Sequence, residues 1–269
     1  MNERSEAAGP AGGDITAQQA AGHLAEAAVA AGALALDMFR GGVKSWSKHN
    51  DSPVTEADIA ADRLLHARLT ALAPHYGWLS EESVDAPARL ERRRLWIVDP
   101  IDGTRAFMAG GPDWAVAVAL VEDGRPIACA LYAPVTEELF VATRGGGATR
   151  NGQALRSSGR AQLEGARAAG PGPWLDHLAQ AAGVERAPRI RSLALRLARV
   201  ATGEIDAALA SPNGYDWDLA AADLLVHEAQ GRLTTLDGRP LAYNAAVPRH
   251  GALVCAGAAL HPLLMDAAR

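Results

Sequence analysis

Leu95-Trp96-Ile97-Val98-Asp99-Pro100-Ile101-Asp102-Gly103-Thr104-Arg105-Ala106-Phe107 is the stretch on which the reading of this chain turns. Apolar residues 95–98, with β-branched Ile97 and Val98, predict a short buried strand that ends at Asp99. Pro100 has no N–H to give to a ladder, so the strand is expected to stop and turn there. Gly103 lets the backbone bend sharply, and Thr104 then caps or opens a helix. Asp99 and Asp102 are thereby placed at the carboxyl end of a strand, facing the bare N–H groups of a new helical turn, which suit an anion. Acids beside an anion site repel each other and the anion unless divalent cations intervene, and oxygen-only donors point to Mg²⁺. Asp-Pro and Asp-Gly taken singly are no more than turn formers.

The chain of 269 residues is long enough for one large domain or two closely joined lobes. Its 49% hydrophobic and 21% charged content is that of an ordinary globular protein. A net charge of -5 argues against a nucleic-acid coat or a basic membrane patch, so neither a nucleic-acid polymer nor a membrane is an expected partner. An anionic substrate would then need local help from metal ions. Cys129 and Cys255 both sit in apolar runs and read as buried thiols in a reduced cytoplasm. The polar first residues do not read as a secretory signal. Residues 20–36 are rich in alanine, but His23, Glu26 and the adjoining Asp37 favour a globular helix over a membrane span.

Outward from the central stretch, residues 1–13 read as a disordered tail, 14–156 as an α+β lobe with most of the metal ligands, and 157–269 as an α/β lobe that closes the site. Asp14 or Thr16 caps a long helix that ends at Gly41-Gly42. Thr55 and Asp58 have the spacing of a capping box, followed by a helix up to Pro74. Trp78-Leu79-Ser80 runs as a strand into Glu81-Glu82, and only one of two adjacent acids easily faces a given site. Residues 91–94 read as a solvated charged connection. Strands are expected at 114–121, 126–132 and 138–143, the first two joined by an Asp123-Gly124 turn. Gly145-Gly146-Gly147 lacks the lysine of a phosphate-binding loop and reads as a hairpin connection. In the second lobe, helices are expected at 174–182 and 192–201, and short strands at 189–191 and 205–209. Arg196 and Arg199 read as a solvated helix face. Asp218, taken alone, could be only a helix cap, and Asp223 reads as structural.

Four short motifs occur in one order: Val54-Thr55-Glu56-Ala57-Asp58, Glu81-Glu82, Asp99-Pro100-Ile101-Asp102-Gly103-Thr104, and Trp217-Asp218-Leu219-Ala220-Ala221. Together they resemble the inositol monophosphatase family of metal-dependent, lithium-sensitive phosphatases, which includes CysQ-type 3'(2'),5'-bisphosphate nucleotidases and some histidinol phosphatases. The resemblance implies an α/β fold, a layered αβαβα sandwich of the inositol monophosphatase and fructose-1,6-bisphosphatase type. It implies two or three Mg²⁺ ions, with Glu81, Asp99 and the Ile101 carbonyl holding the first. Asp99, Asp102 and Asp218 would hold the second. Thr104 and Glu81 would orient the attacking water, with Asp58 supporting Thr104, while Gly103 and Thr104 donate backbone N–H groups to the phosphate. Asp102 and Asp218 would also meet the substrate, Glu82 would sit behind Glu81, Lys48 would lie near the site, and Arg191 to Arg196 would lie where family members contact substrate.

The activity so implied is hydrolysis of a small phosphomonoester, an inositol phosphate or 3'-phosphoadenosine 5'-phosphate, by metal-activated water. The alternatives are a histidinol-phosphate or fructose-1,6-bisphosphate phosphatase, or a regulatory RNA- or protein-binding member; a homodimer is a further implication. Inositol-selective members carry a glutamate several residues before Trp-Asp, and Ser211-Pro212-Asn213-Gly214-Tyr215-Asp216 has none. Ala130-Leu131-Tyr132-Ala133-Pro134 and Ser211-Pro212 look more like the nucleotidase branch.

Overall fold

The computed structural model describes residues 13–42, 44–47 and 53–268. Nearly all of the expected tail, and Lys48, lie outside the described residues. Thr16 caps α1 (Ala17–Gly41), accepting the Gln19 amide while the Gln19 side chain answers the Thr16 backbone. The helix is long and apolar enough to cross a membrane by composition. Its stripe of Ala20, Leu24, Ala27, Ala28 and Ala31 is buried with residues of the helix and strands that follow. Gly32 permits the closest approach: a Cβ there would stand 2.5 Å from Tyr132 Cδ1.

A short antiparallel pair, β1 (Ser45–Ser47) and β2 (Pro53–Thr55), leads into α2 (Glu56–Leu72), which opens with the expected capping box of Thr55 and Asp58. Then come β3 (Gly77–Ser80), β4 (Arg94–Asp102), the one-turn helix α3 (Thr104–Met108), β5 (Ala115–Glu122) and β6 (Arg125–Ala133). β7 (Glu138–Thr143), β8 (Gly147–Arg150) and β9 (Gln153–Ala154) complete a seven-stranded sheet in sequence order. Only β3 and β4 pair parallel; the remaining neighbours are antiparallel. Asp123 and Gly124, at φ 49° and 72°, make the expected tight turn.

The second half runs β10 (Arg167–Ala169), α4 (Gly172–Ala182), β11 (Glu185–Arg186), α5 (Leu193–Ala201), β12 (Ala207–Ala210), α6 (Asp216–Glu228), β13 (Gly231–Thr235), β14 (Leu253–Gly257) and α7 (His261–Ala267). Its five strands are ordered β11-β10-β12-β14-β13.

The layers follow from which face each strand buries. On β4, Trp96 and Val98 pack under α1 and α2, whereas Leu95 and Ile97 face the opposite way into the core formed with α5 and α6. Both faces are covered, which is why the strand reads as an unbroken apolar run rather than an alternation. α5 and α6 fill the space between the two sheets, and α4 and α7 cover the far face of the five-stranded one. The result is the expected αβαβα sandwich.

The structure corrects four local expectations. β4 does not stop at Asp99. It continues to Asp102 through a bulge, because Asp99 stands opposite Ala117 and Asp102 opposite Ala115, so three steps on one strand meet two on its neighbour. Pro100, with no N–H to donate, fits inside that irregularity. Residues 189–191 form no strand, since the edge pairing is made by Glu185–Arg186 and Pro188 interrupts it. Residues 91–94 are not simply solvated: Arg94 begins β4 and bonds Glu122 at 2.7 Å and the Tyr76 hydroxyl at 2.8 Å. Arg199 is not a solvated helix residue either, because it grips Glu138 at 2.5 and 2.6 Å. The glycine run behaves as expected, its Gly145 and Gly147 amides donating to the Glu228 carboxylate at 2.8 and 2.9 Å.

Candidate metal and phosphate site

The bulge in β4 aims Asp99 and Asp102 out of the sheet. Asp99 Oδ1 accepts the Ile101 amide at 3.0 Å, while its Oδ2 is buried with no hydrogen-bond partner among the described residues. A buried anionic oxygen without a donor is costly, so this atom is built to meet something the chain does not supply. Asp102 spans to the other sheet's helix layer, accepting from the Ser192 hydroxyl and from the Leu193 and Ala194 amides at 3.3 and 2.7 Å, at the open end of α5.

Gly103 then turns at φ 96°, where a Cβ would stand 2.5 Å from the Asp113 carbonyl, so no other residue fits unchanged. Thr104 opens α3, and its hydroxyl lies 3.3 Å from Asp58 Oδ1 and 3.1 Å from the Ile101 carbonyl. Asp58 itself is buried behind Thr104, its Oδ2 tied to the Thr55 amide and hydroxyl at 2.8 and 2.6 Å.

Asp218 arrives from the third position of α6, where its Oδ2 accepts the Tyr215 amide at 2.6 Å. Donor oxygens of Asp99, Asp102 and Asp218 all lie within 4.8 Å of one another. Glu81, just past β3, lines the same cavity of about 890 Å³ together with Ile101, Gly103 and Thr104. Glu82 is not on its wall. The structure thus gathers Glu81, Asp99, Asp102 and Asp218 from segments up to 137 residues apart, the span from residue 81 to 218.

Charge makes the cluster unstable as bare anions. Burial pushes Asp99 well above the ordinary carboxylate range, and Glu81, Asp102, Asp218 and Asp58 push it further. Burial likewise raises Asp218, with Asp102 and Glu81 adding to it and the Tyr215 amide opposing. Asp102 is raised by burial but held back by its Ser192, Ala194 and Leu193 donors and by Arg196. All-oxygen donors, mutual repulsion and the orphaned Asp99 oxygen fit a hard divalent cation.

A family model described as the inositol monophosphatase family matches residues 13–269. The chain belongs to the inositol monophosphatase family. It is 36% identical to the inositol-1-monophosphatase of Mesorhizobium japonicum over 198 residues, 69% of this chain and 73% of that protein. It is also 36% identical to the histidinol-phosphatase of Mycobacterium tuberculosis over 230 residues, covering 80% of this chain and 84% of that one. The solved structure of the extragenic suppressor protein suhB from Bartonella henselae superposes with a TM-score of 0.82 at 29% identity, covering 93% and 98% of the two chains. The family is one of metal-dependent phosphatases, and the acidic cluster of this member is compatible with that chemistry.

Within this family frame the sequence left some residues unread. Ser192 is legible as a helix cap, yet its hold on Asp102, 90 residues earlier, is not. Arg196 was expected on a solvated face, with the family resemblance offering a place near the substrate as the alternative. Instead it is half-buried, bonds the Ile190 and Leu209 carbonyls, and lines the cavity with Arg105, Arg189 and Arg191. Three of these arginines, Arg189, Arg191 and Arg196, sit within eight residues, a clustering that adds to the resemblance already noted for Arg191 to Arg196.

Proposed function

We propose that the chain is a Mg²⁺-dependent phosphomonoesterase acting on a small phosphate ester. The observation that carries this reading is the convergence of Asp99, Asp102 and Asp218 around an unpartnered, buried Asp99 oxygen. Glu81, Asp99 and the Ile101 carbonyl are the residues to hold one ion, and Asp99, Asp102 and Asp218 a second. When bound, Mg²⁺ supplies Lewis-acid neutralisation of phosphoryl charge and a lower pKa for water. The protein's own part is positioning. The Gly103 and Thr104 amides, at the turn into α3, point donors at the phosphoryl oxygens. Thr104 and Glu81 orient the attacking water. With the Thr104 proton directed at Asp58, 3.3 Å away, a lone pair of its hydroxyl is left to accept from that water. Residues 14–156 carry Glu81, Asp99 and Asp102, and residues 157–269 bring Asp218, so the two lobes together complete the site.

For substrate, an inositol phosphate and a 3'-phosphoadenosine 5'-phosphate-type ester both fit the phosphoryl end. The absence of a glutamate in residues 211–216 favours the second. Histidinol phosphate is a further reading, supported by the 36% identity to the mycobacterial histidinol-phosphatase. Phosphate release from the three esters side by side, with Mg²⁺ and then with EDTA, tests the proposal. Turnover of at least one ester that EDTA abolishes is expected; no turnover of any at saturating Mg²⁺ contradicts it.

A further inference from the structure

We infer that the preferred ester carries a second anionic group, a phosphate or a carboxylate, held by Arg189 and Arg196 in a cavity that adjoins the carboxylate cluster. This deepens the phosphatase reading and rests on it. A second cavity of about 490 Å³ opens beside the first, between the start of α4 and residues 186–190. The two cavities share Arg189 and Arg196, so both guanidinium groups border the second space as well as the one that holds the acids.

On the phosphatase reading, metal ions would answer the acids, and amides at the turn into α3 would answer one phosphoryl group. Arg105, Arg189, Arg191 and Arg196 line the same cavity as the acids, and among the described residues none of them makes an ion pair. Arg186, by contrast, is engaged by Asp176 and is not counted. Arg196 is pre-set for an anion. Its Nε and Nη2 donate to the Ile190 carbonyl at 3.2 and 2.9 Å and its Nη1 to the Leu209 carbonyl at 3.2 Å. Five N–H groups less those three leave one on each terminal nitrogen, in a fork whose orientation is already fixed. Burial lowers its pKa, Asp102 supports its charge and Arg189 opposes it.

The surroundings agree. Ser211 adds a hydroxyl to the second cavity, and α4 begins there with no capping side chain and no acid in its first turn. A neutral polyol leaves these guanidinium groups unanswered, and an ester bearing an ammonium group is repelled by them.

Two pairs of esters that share a scaffold test this: adenosine 3',5'-bisphosphate against adenosine 3'-phosphate, and 3-phosphoglycerate against glycerol 3-phosphate. The first pair reads a second phosphate, the second a carboxylate. In at least one pair, kcat/KM for the doubly anionic ester is expected to exceed its partner's by about ten- to hundred-fold, the range of one charge-assisted hydrogen bond. Arg189→Ala, at an exposed position, is expected to collapse that ratio toward one, and Arg196→Lys to lower it through the lost fork. A ratio near one in both pairs, or one that Arg189→Ala leaves unchanged, overturns the inference. If no ester of either pair is hydrolysed, the three-ester assay above still judges the phosphatase reading, and calorimetric titration of the paired esters into the Mg²⁺-loaded protein decides the subsite. There, tighter binding of the doubly anionic ester that Arg189→Ala weakens supports it, and equal affinities overturn it.

Discussion

Asp99 shows how much one side chain can encode. Its Oδ2 is sealed from solvent without a partner among the described residues, and burial with four acidic neighbours raises its pKa well above the ordinary value. A folded-state pKa above the unfolded value contributes stability below the unfolded value, and that contribution is lost as pH rises through the raised pKa. Asp218 has the same sign. The metal-free protein is therefore expected to lose thermal stability between acidic and neutral pH, and Mg²⁺ to restore it mainly at the neutral end. Thermal unfolding in EDTA and in Mg²⁺ at several pH values checks this. Asp99→Asn is expected to lower turnover about a thousand-fold, several kcal/mol of lost charge neutralisation, while leaving the EDTA-treated protein at least as stable as wild type. Ser192→Ala removes one of three donors to Asp102 and is expected to reduce kcat about ten-fold, with activity recovered in Ser192→Thr. The acids were legible because each sits in a motif. The partners of Ser192 and Arg196 were not, because they are far off in sequence or are backbone carbonyls that no pattern marks.

Among the elements, caps and turns were the most readable. Thr55 with Asp58 and Asp123 with Gly124 are local chemistry, and local chemistry is written in neighbouring residues. The bulge in β4 was not readable in the same way. Pro100 forbids a ladder bond, which signals interruption, but whether the strand ends or slips one residue depends on pairing with β5. The Gly103 turn can be tested directly. Gly103→Ala forces a side chain into φ 96° and against the Asp113 carbonyl, so it is expected to cost about 1–3 kcal/mol in chemical denaturation. It should also reduce activity by more than it reduces stability, because the shifted turn carries the Gly103 and Thr104 amides with it.

Across the whole molecule, one buried cluster runs from Leu79 on β3 to Cys255 on β14, joining both sheets through α5 and α6. The sequence announced these segments as helix or strand, but which sheet each joins is fixed by long-range packing. Glu138 on β7 shows the cost of separating the halves, since it binds Arg199 on α5. Burial opposes its charge, yet Arg199, Thr136 and Arg150 overcome this and lower its pKa to about 2. A depressed carboxylate contributes stability above its unfolded pKa, lost as pH falls toward the folded one. Glu138→Gln is therefore expected to cost about 1–2 kcal/mol at pH 7, allowing for partial solvation, with a smaller gap to wild type at pH 3 in denaturant titrations. The central claim is that distant acids converge to hold Mg²⁺ for phosphate-ester hydrolysis. Its most direct test is phosphate release measured across a Mg²⁺ titration for the wild type and Asp218→Asn. A saturable Mg²⁺ dependence that the substitution abolishes is the predicted result; release that persists in EDTA, or an Asp218→Asn protein as active as wild type, contradicts it.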